Sequence, residues 1–249
     1  MPKMNILGVI PARWASTRFE GKVLAEIQGK PMIRHVWERA KKSRLLTDLI
    51  IACDDQRVYV KAKEFGAKVV LTSSHHPSGT DRVAEAVRPI GGDIIINIQA
   101  DEPLIDPATI DTLAQAMVDD ESFSLATVIK RIDNLGELDD PHLVKVVIDQ
   151  NHNALYFSRS VIPFNRSTKD IANVRYYKHL GLYAYRRNFL FIFCGLPKSY
   201  LEEIEALEQL RALEAGYKIK TIETTIDTIG VDTLEDLRRL EEFLAQKHG

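Results

Sequence analysis

Three cations, two hydroxyls and a glycine crowd one short stretch of the chain. Between Ile6 and Lys22 the sequence reads I-L-G-V-I-P-A-R-W-A-S-T-R-F-E-G-K, so Arg13, Ser16, Thr17, Arg18, Gly21 and Lys22 share one loop. Arginine forks two oxygens and lysine supplies a point charge, which makes this a place to hold an anion; the plainer reading is a solvated basic loop. Neither G-x-x-x-x-G-K-[ST] nor G-x-G-x-x-G is present, so it is not a Walker loop or a dinucleotide fingerprint. Asp101, in Q-A-D-E-P at 99–103, is the next reactive group. A carboxylate opposite an oligophosphate requires a cation between them, and Mg²⁺ is the usual one; the alternative is an acidic turn before Pro103.

Other candidates carry structural readings of equal or greater weight. Asp232, in G-V-D-T at 230–233, reads on spacing as a helix cap, either with Glu235 or beside a Thr233–Asp236 pair. Ser78-Gly79-Thr80-Asp81-Arg82 offers hydroxyls and backbone groups to a base or ribose, or caps a helix. His75-His76 has no cysteine or carboxylate partners at ligand spacing, which argues against zinc. Glu205, Glu208 and Gln209 stand at i, i+3 and i+4, the pattern of a solvated helix face.

The elements that must position these residues follow from hydrophobic spacing. Ile6–Ile10 is a buried strand that Pro11 is expected to stop. A helix follows Gly29-Lys30-Pro31, with Pro31 at its first position and Ile33, Val36, Trp37 and Ala40 on one face. Strands at 48–53, 68–71 and 94–98 alternate with helical patterns ending at Gly66, covering 83–87, and opening at Asp106-Pro107. Four β-α repeats predict a parallel sheet with helices on both faces, whose ligands lie beyond the carboxyl ends of the strands. That arrangement sets the basic loop and Asp101 face to face. Further strands are expected at 124–129, 144–148, 154–157 and 176–185, with a hairpin turn at 149–153, so that 130–185 forms an antiparallel subdomain. A strand at 218–222 separates final helices at 199–215 and 233–246.

Composition narrows the class. The 249 residues are 45% hydrophobic and 27% charged, enough for one large core. A net charge of −2 without a long basic run argues against nucleic acid as a partner. Cys53 and Cys194 are the only cysteines, so no disulfide framework or C-x-x-C site exists. The N-terminal apolar run is broken at Arg13, too short for a signal peptide, and no run is long enough to span a bilayer; a soluble cytoplasmic protein is expected.

Read as a set, these blocks resemble the cytidylyltransferases that activate acidic sugars, most nearly the branch acting on 3-deoxy-manno-octulosonate (Kdo). The blocks are P-A-R-x-A-S-T-R at 11–18, G-K-P-M-I at 29–33, S-G-T-D-R at 78–82, Q-A-D-E-P at 99–103, A-L-Y-F-S-R at 154–159, K-H-L-G at 178–181, L-E-Q-L-R at 207–211 and G-V-D-T at 230–233. The resemblance implies one α/β domain over 1–249, with the mostly parallel, Rossmann-like sheet of nucleotide-diphospho-sugar transferases, and a homodimer. It implies that Arg13, Ser16, Lys22, Ser78 and Asp81 bind CTP, and that Asp101 and Asp232 bind Mg²⁺ and serve catalysis with Arg13 and Lys22. Gln99, Arg159, His179, Tyr183, Glu208 and Gln209 would line the sugar pocket. The implied product is CMP-Kdo for lipopolysaccharide or capsule synthesis, with 8-amino-Kdo or a sialic acid as alternative sugars. A non-catalytic nucleotide-binding module and a glycosyltransferase are the rivals from other classes; retention of both aspartates and the basic loop argues against the first, and the loop itself against the second. Two departures from the family pattern stand out. Phe19-Glu20 replaces the usual Leu-Pro, bringing an acid into the triphosphate loop, and Ala100 replaces the usual Gly, which requires a backbone conformation open to Ala.

Overall fold

The computed structural model describes residues 4–15, 19–166 and 174–248. The first half alternates as β1 (Ile6–Ala12), β2 (Glu26–Ile27), β3 (Lys30–Pro31), α1 (Met32–Ala40), β4 (Asp48–Cys53), α2 (Gln56–Glu64), β5 (Lys68–Leu71), α3 (Gly79–Val87), β6 (Ile94–Asn97) and α4 (Pro107–Asp119). The second half runs β7 (Leu125–Arg131), β8 (Lys145–Ile148), β9 (Ala154–Ser158), β10 (Tyr177–Arg186), α5 (Arg187–Gly195), α6 (Tyr200–Glu205), α7 (Leu210–Glu214), β11 (Lys220–Thr224) and α8 (Leu234–His248).

A single large sheet with strand order β11-β7-β10-β6-β1-β4-β5 forms the centre, and β2 and β3 pair separately. Strands β6, β1, β4 and β5 are mutually parallel, as are β7 and β11; β10 runs antiparallel to both β6 and β7. The fold is therefore α/β with a mostly parallel sheet. Its middle strand β6 explains the geometry: Ile94, Ile95 and Ile96 are all fully buried, feeding apolar side chains to both faces. Burial of each is worth about 1.5–3 kcal/mol, which fixes this strand and the loop at its carboxyl end. The antiparallel strands expected within 130–185 are present and extend the same sheet, with β8 pairing to both β9 and β10.

Three local expectations are corrected. Strand β1 continues through Pro11 to Ala12, with Pro11 opposite Ala52. Val9 O accepts from Ile98 N on the β6 side, and pairing with β6 goes no further than Val9. Pro11, two residues on, turns its missing N–H toward that open side, so no ladder bond is lost. Second, α5 follows directly on β10 and was not foreseen from the sequence. Third, the helix expected over 199–215 is two helices. Ala206 breaks it with a left-handed φ of 52°, its N–H and that of Leu207 both returning to Glu202 O. A buried ion pair, Arg211 to Glu202 at 2.7 and 2.5 Å, clamps α7 against α6 across the break. Glu208 and Gln209 thereby leave the solvated face and enter the interior.

Candidate active site

The basic loop is built around an indole. Trp14 donates its backbone N–H to Asp54 Oδ1 at 2.8 Å and its Nε1–H to Glu20 Oε1 at 2.9 Å. The Arg57 guanidinium stacks over the ring, 3.5 Å from its centre. Gly21, at φ +67°, lies against the ring so closely that a Cβ would come within 2.7 Å of it. Glycine is required there by both conformation and space. Glu20 is consequently tied to the indole rather than aimed at the cleft, which accounts for the acid in this loop. Ser16, Thr17 and Arg18 lie outside the described residues. Arg13 is exposed at the lip.

Lys22 opens a short 3-10 turn just after Gly21, and its side chain runs inward. The ammonium lies 2.5 Å from Asp101 Oδ2, 2.7 Å from Asp232 Oδ1 and 3.4 Å from Val231 O. Burial alone would lower the lysine pKa, but the Asp101 and Asp232 carboxylates outweigh it and hold it above its ordinary value. Asp101 arrives on the loop after β6, and Asp232 on the segment after β11. Val231 N donates to Asp101 O at 2.9 Å, which fixes the two loops to one another. Asp232 is not the cap of α8. Its N–H and that of Thr233 donate to Asp236 Oδ2 at 3.1 and 2.9 Å, and Asp236 N returns to Thr233 Oγ1 at 3.1 Å. Thr233 and Asp236 make the capping box, and the Asp232 carboxylate is left for the cleft. Ala100 is buried and adopts an ordinary negative φ, so the second departure costs nothing in backbone strain.

The donor set suits a divalent cation. Two carboxylates from separate loops converge within 2.7 Å of one positive charge, and Mg²⁺ is held by one or two carboxylates with phosphate oxygens and water completing its shell. No cluster of three or more such ligands exists among the described residues, so the remainder would have to come from substrate and solvent. Glu102 does not add charge at neutral pH: burial, and then the Asp101 carboxylate, push it up to about 8. These groups edge a cleft of ≈ 290 Å³, with His76 and Ser78 on its far wall.

The far wall rests on α3. Ser78 caps that helix, its Oγ accepting from Asp81 N at 3.1 Å and donating to Asp81 Oδ2 at 2.7 Å. Asp81 thus faces its own cap. Arg82 forms a buried pair with Asp54 at 2.8 Å and holds Thr72 Oγ1 at 2.6 Å. Asp54 therefore ties together the Trp14 loop and α3, yet the sequence reading passed over it; its position directly after β4, at a carboxyl strand end, was the available signal.

The residues expected to line the sugar pocket gather beside β10, where the register against β7 shifts between Leu180 and Tyr183. Gly181 sits in that irregularity, and a Cβ on it would stand 3.3 Å from Gln99 Cγ. His179 Nε2 lies 2.8 Å from Thr127 Oγ1. The Thr127 hydroxyl donates its proton to Leu182 O at 2.9 Å, so it accepts from His179, which leaves Nδ1 of the ring as an acceptor. Burial pushes the imidazole down to about 3, keeping it neutral. Tyr183 Oη donates to Gln209 Oε1 at 3.1 Å. Glu208 Oε2 accepts from Thr80 at 2.6 Å, while Glu208 Oε1 and Gln209 Nε2 are buried without a hydrogen-bond partner. Glu208 Oε1 also lies 3.9 Å from Arg211 Nη2; a buried acceptor and a buried donor on neighbouring residues are suited to a hydroxyl-rich ligand.

Arg159 has a structural role whatever else it binds. Its guanidinium donates to Glu205 O at 2.8 Å, Pro141 O at 2.9 Å and Ala206 O at 3.4 Å. Two of its five N–H groups remain for a ligand. Glu205, which the sequence left on a solvated face, accepts from Ser158 Oγ at 2.6 Å and from Arg159 N at 3.0 Å, tying α6 to the end of β9.

A mostly parallel sheet with a cationic loop and an acidic pair meeting at its carboxyl ends defines an α/β nucleotidyltransferase. The chain belongs to the cytidylyltransferase family, whose model matches residues 7–222. A protein of Solibacter usitatus (strain Ellin6076) named 3-deoxy-manno-octulosonate cytidylyltransferase is 53% identical over 243 residues, spanning 98% of this chain and 95% of that one. One of Shewanella baltica (strain OS155 / ATCC BAA-1091) named 8-amino-3,8-dideoxy-manno-octulosonate cytidylyltransferase is 50% identical, spanning 97% and 99%. Among solved structures, CMP:2-keto-3-deoxy-manno-octonic acid synthetase complexed with CTP superposes with a TM-score of 0.92 at 43% identity, covering 98% of this chain and 99% of that one.

Proposed function

We propose that the protein transfers the cytidylyl group of CTP to Kdo, giving CMP-Kdo and pyrophosphate. The observation that carries this reading is the convergence of Lys22, Asp101 and Asp232 on one point of the cleft, with Arg13 at its lip. Two of the similar proteins reported above, at 53% and 43% identity, are named for this chemistry on Kdo. The relative named for the 8-amino sugar, at 50%, makes that analogue the second reading.

The anomeric hydroxyl of the sugar would attack the α-phosphorus in line with the leaving pyrophosphate. Such transfer needs positioning and charge stabilisation, with no covalent link to the protein. Arg13 and Lys22 would neutralise charge growing on the pyrophosphate. Asp101 and Asp232 would hold Mg²⁺, which when bound supplies Lewis acidity to the phosphates and to the attacking hydroxyl. Ser78 and its neighbours would hold the nucleoside. Gln99, His179, Tyr183, Glu208 and Gln209 would bind sugar hydroxyls, and the two unused N–H groups of Arg159 the sugar carboxylate.

The same reading includes a homodimer acting in the cytoplasm, where CTP is available, and supplying lipopolysaccharide or capsule synthesis. Exposed Leu155 and Phe164 near the hairpin, and Tyr200 and Ile204 on α6, offer apolar area for a subunit contact. Among the described residues, no helix is long and apolar enough to cross a membrane.

The deciding experiment is pyrophosphate release from CTP in the presence of Mg²⁺ and, in turn, Kdo, 8-amino-Kdo and a sialic acid. Release with Kdo at the highest kcat/KM is expected. Preference for the 8-amino sugar would select the second reading, and no release with any acidic sugar would overturn both.

A further inference from the structure

Lys22 is claimed by two partners. Its ammonium fills the notch between Asp101 and Asp232, at 2.5 and 2.7 Å, where a divalent cation would have to sit. The catalytic reading gives the same ammonium to the triphosphate. A lysine ammonium and a divalent ion cannot share that notch, because two cations a few ångströms apart in a partly desolvated site repel strongly. We propose that Lys22 is the resting counter-ion of the aspartate pair, and that the metal enters when a polyphosphate draws the ammonium out. This rests on the cytidylyltransferase reading and adds to it a coupling between nucleotide and metal.

The surroundings suit such an exchange. The main chain at Lys22 is fixed, since Gly21 is wedged against Trp14 and Ala25 N closes the turn onto Lys22 O at 3.0 Å. Only the four-carbon stem has to move, and lysine is a flexible point charge. Its third contact, to Val231 O at 3.4 Å, is long. The two carboxylates do not depend on the lysine for their spacing, because Val231 N holds Asp101 O directly and the capping box holds Asp232 from the other side. What the lysine leaves behind is a formed acidic site. Coupling of this kind is reciprocal: whatever factor nucleotide adds to metal affinity, metal adds to nucleotide affinity.

Mn²⁺, detected by electron paramagnetic resonance, substitutes for Mg²⁺ as the probe, and binding is measured without any phosphate present. Lys22→Met keeps the stem and removes the charge. It is expected to bind Mn²⁺ alone about tenfold or more tightly than the unaltered protein, a change of roughly 1.4 kcal/mol or more. Adding Asp101→Asn to Lys22→Met should abolish the gain. Equal Mn²⁺ affinity in the unaltered protein and Lys22→Met, with loss on Asp101→Asn, would overturn the proposal and leave the metal assignment standing. Mn²⁺ affinity indifferent to Asp101→Asn in both backgrounds, and in the CTP complex, would overturn the assignment itself. Should Lys22→Met fail to fold, thermal melting of the unaltered protein decides. Mn²⁺ with a non-hydrolysable CTP analogue should raise Tm by more than the sum of the two alone, and a rise from Mn²⁺ alone equal to that from both would overturn the proposal.

Discussion

Asp232 sits one residue ahead of the Thr233–Asp236 box, and that single step separates the aspartate that caps α8 from the one that meets Lys22 in the cleft. Spacing in the sequence could not choose between Asp232 and its neighbours as the cap, because G-V-D-T-L-E-D offers two acids at workable distances. The two roles separate by substitution. Asp232→Asn should lower kcat by about a hundredfold or more, the scale of losing a group that stabilises the transition state, and should leave the melting temperature nearly unchanged. Asp236→Ala should do the reverse, costing about 1 kcal/mol of stability as a lost cap does. Parallel rate assays and melts check both. Arg159 differs because the proposed reading gives its guanidinium a ligand in addition to its three carbonyls. Arg159→Lys should raise the KM for sugar severalfold, as the loss of a charge-assisted pair predicts, and also lower Tm, since lysine cannot hold three carbonyls in different directions. A fall in Tm with the sugar KM untouched would confine Arg159 to the α6 junction.

The break between α6 and α7 is the element whose geometry the sequence hid most completely. L-E-E-I-E-A-L-E-Q-L-R-A-L-E contains no Gly or Pro, and its spacing fits one continuous helix. What divides it is tertiary: the buried Glu202–Arg211 pair and burial of Leu207 outweigh local propensity. Strands β4, β5, β6 and β7 were legible because their apolar runs are short and bounded by turn residues, whereas β11, K-T-I-E-T, has no such run and begins two residues later than the strand expected at 218–222. The cap of α4 at Asp106-Pro107 was legible for the same local reason. Ala206 holds a left-handed φ that costs an L-residue about 1–2 kcal/mol. Ala206→Gly should relieve that strain at some entropic cost, for a net gain of roughly 0.5–1 kcal/mol. In a protein of this size the gain should appear as a Tm higher by roughly 1–4 °C. A lower Tm would show that the break is held by something other than backbone preference.

Over the whole molecule, the surroundings of His179 are buried and the Lys22 cleft is charged, and pH acts on them differently. His179 lies between Phe157 and Tyr183, with ring centres 5.1 and 5.3 Å away, and is held neutral down to about 3. An unfolded chain takes up that proton near 6.5, so between those values the unfolded state binds more protons and stability falls as pH drops. The slope from this one group is at most about 1.4 kcal/mol per pH unit. Urea unfolding at pH 7, 5.5 and 4.5 should therefore show a steeper acid loss in the unaltered protein than in His179→Gln. Identical slopes would mean that the ring is hydrated enough to protonate in place. The parallel β-α half of the sheet and the facing of the basic loop by Asp101 at the carboxyl ends followed from sequence, whereas the spatial order of the strands did not. Nor did the seat of the Lys22 ammonium between Asp101 and Asp232, because Asp232 lies 210 positions away.

The indole that braces the basic loop also makes the protein legible to light. The chain has two tryptophans, and they differ in burial and in polar partners. Trp37 is buried on α1 with the Lys41 ammonium 4.6 Å from its ring centre and no bond to the loop carboxylates, and should emit nearly as a constant. Trp14 lies beneath a guanidinium, bonded to a carboxylate, beside the lysine proposed to shift. Its emission should change when polyphosphate enters, and Trp14→Phe would assign that change by abolishing it. The protein thus carries its own fluorescent report of substrate arrival, readable in stopped flow without a dye.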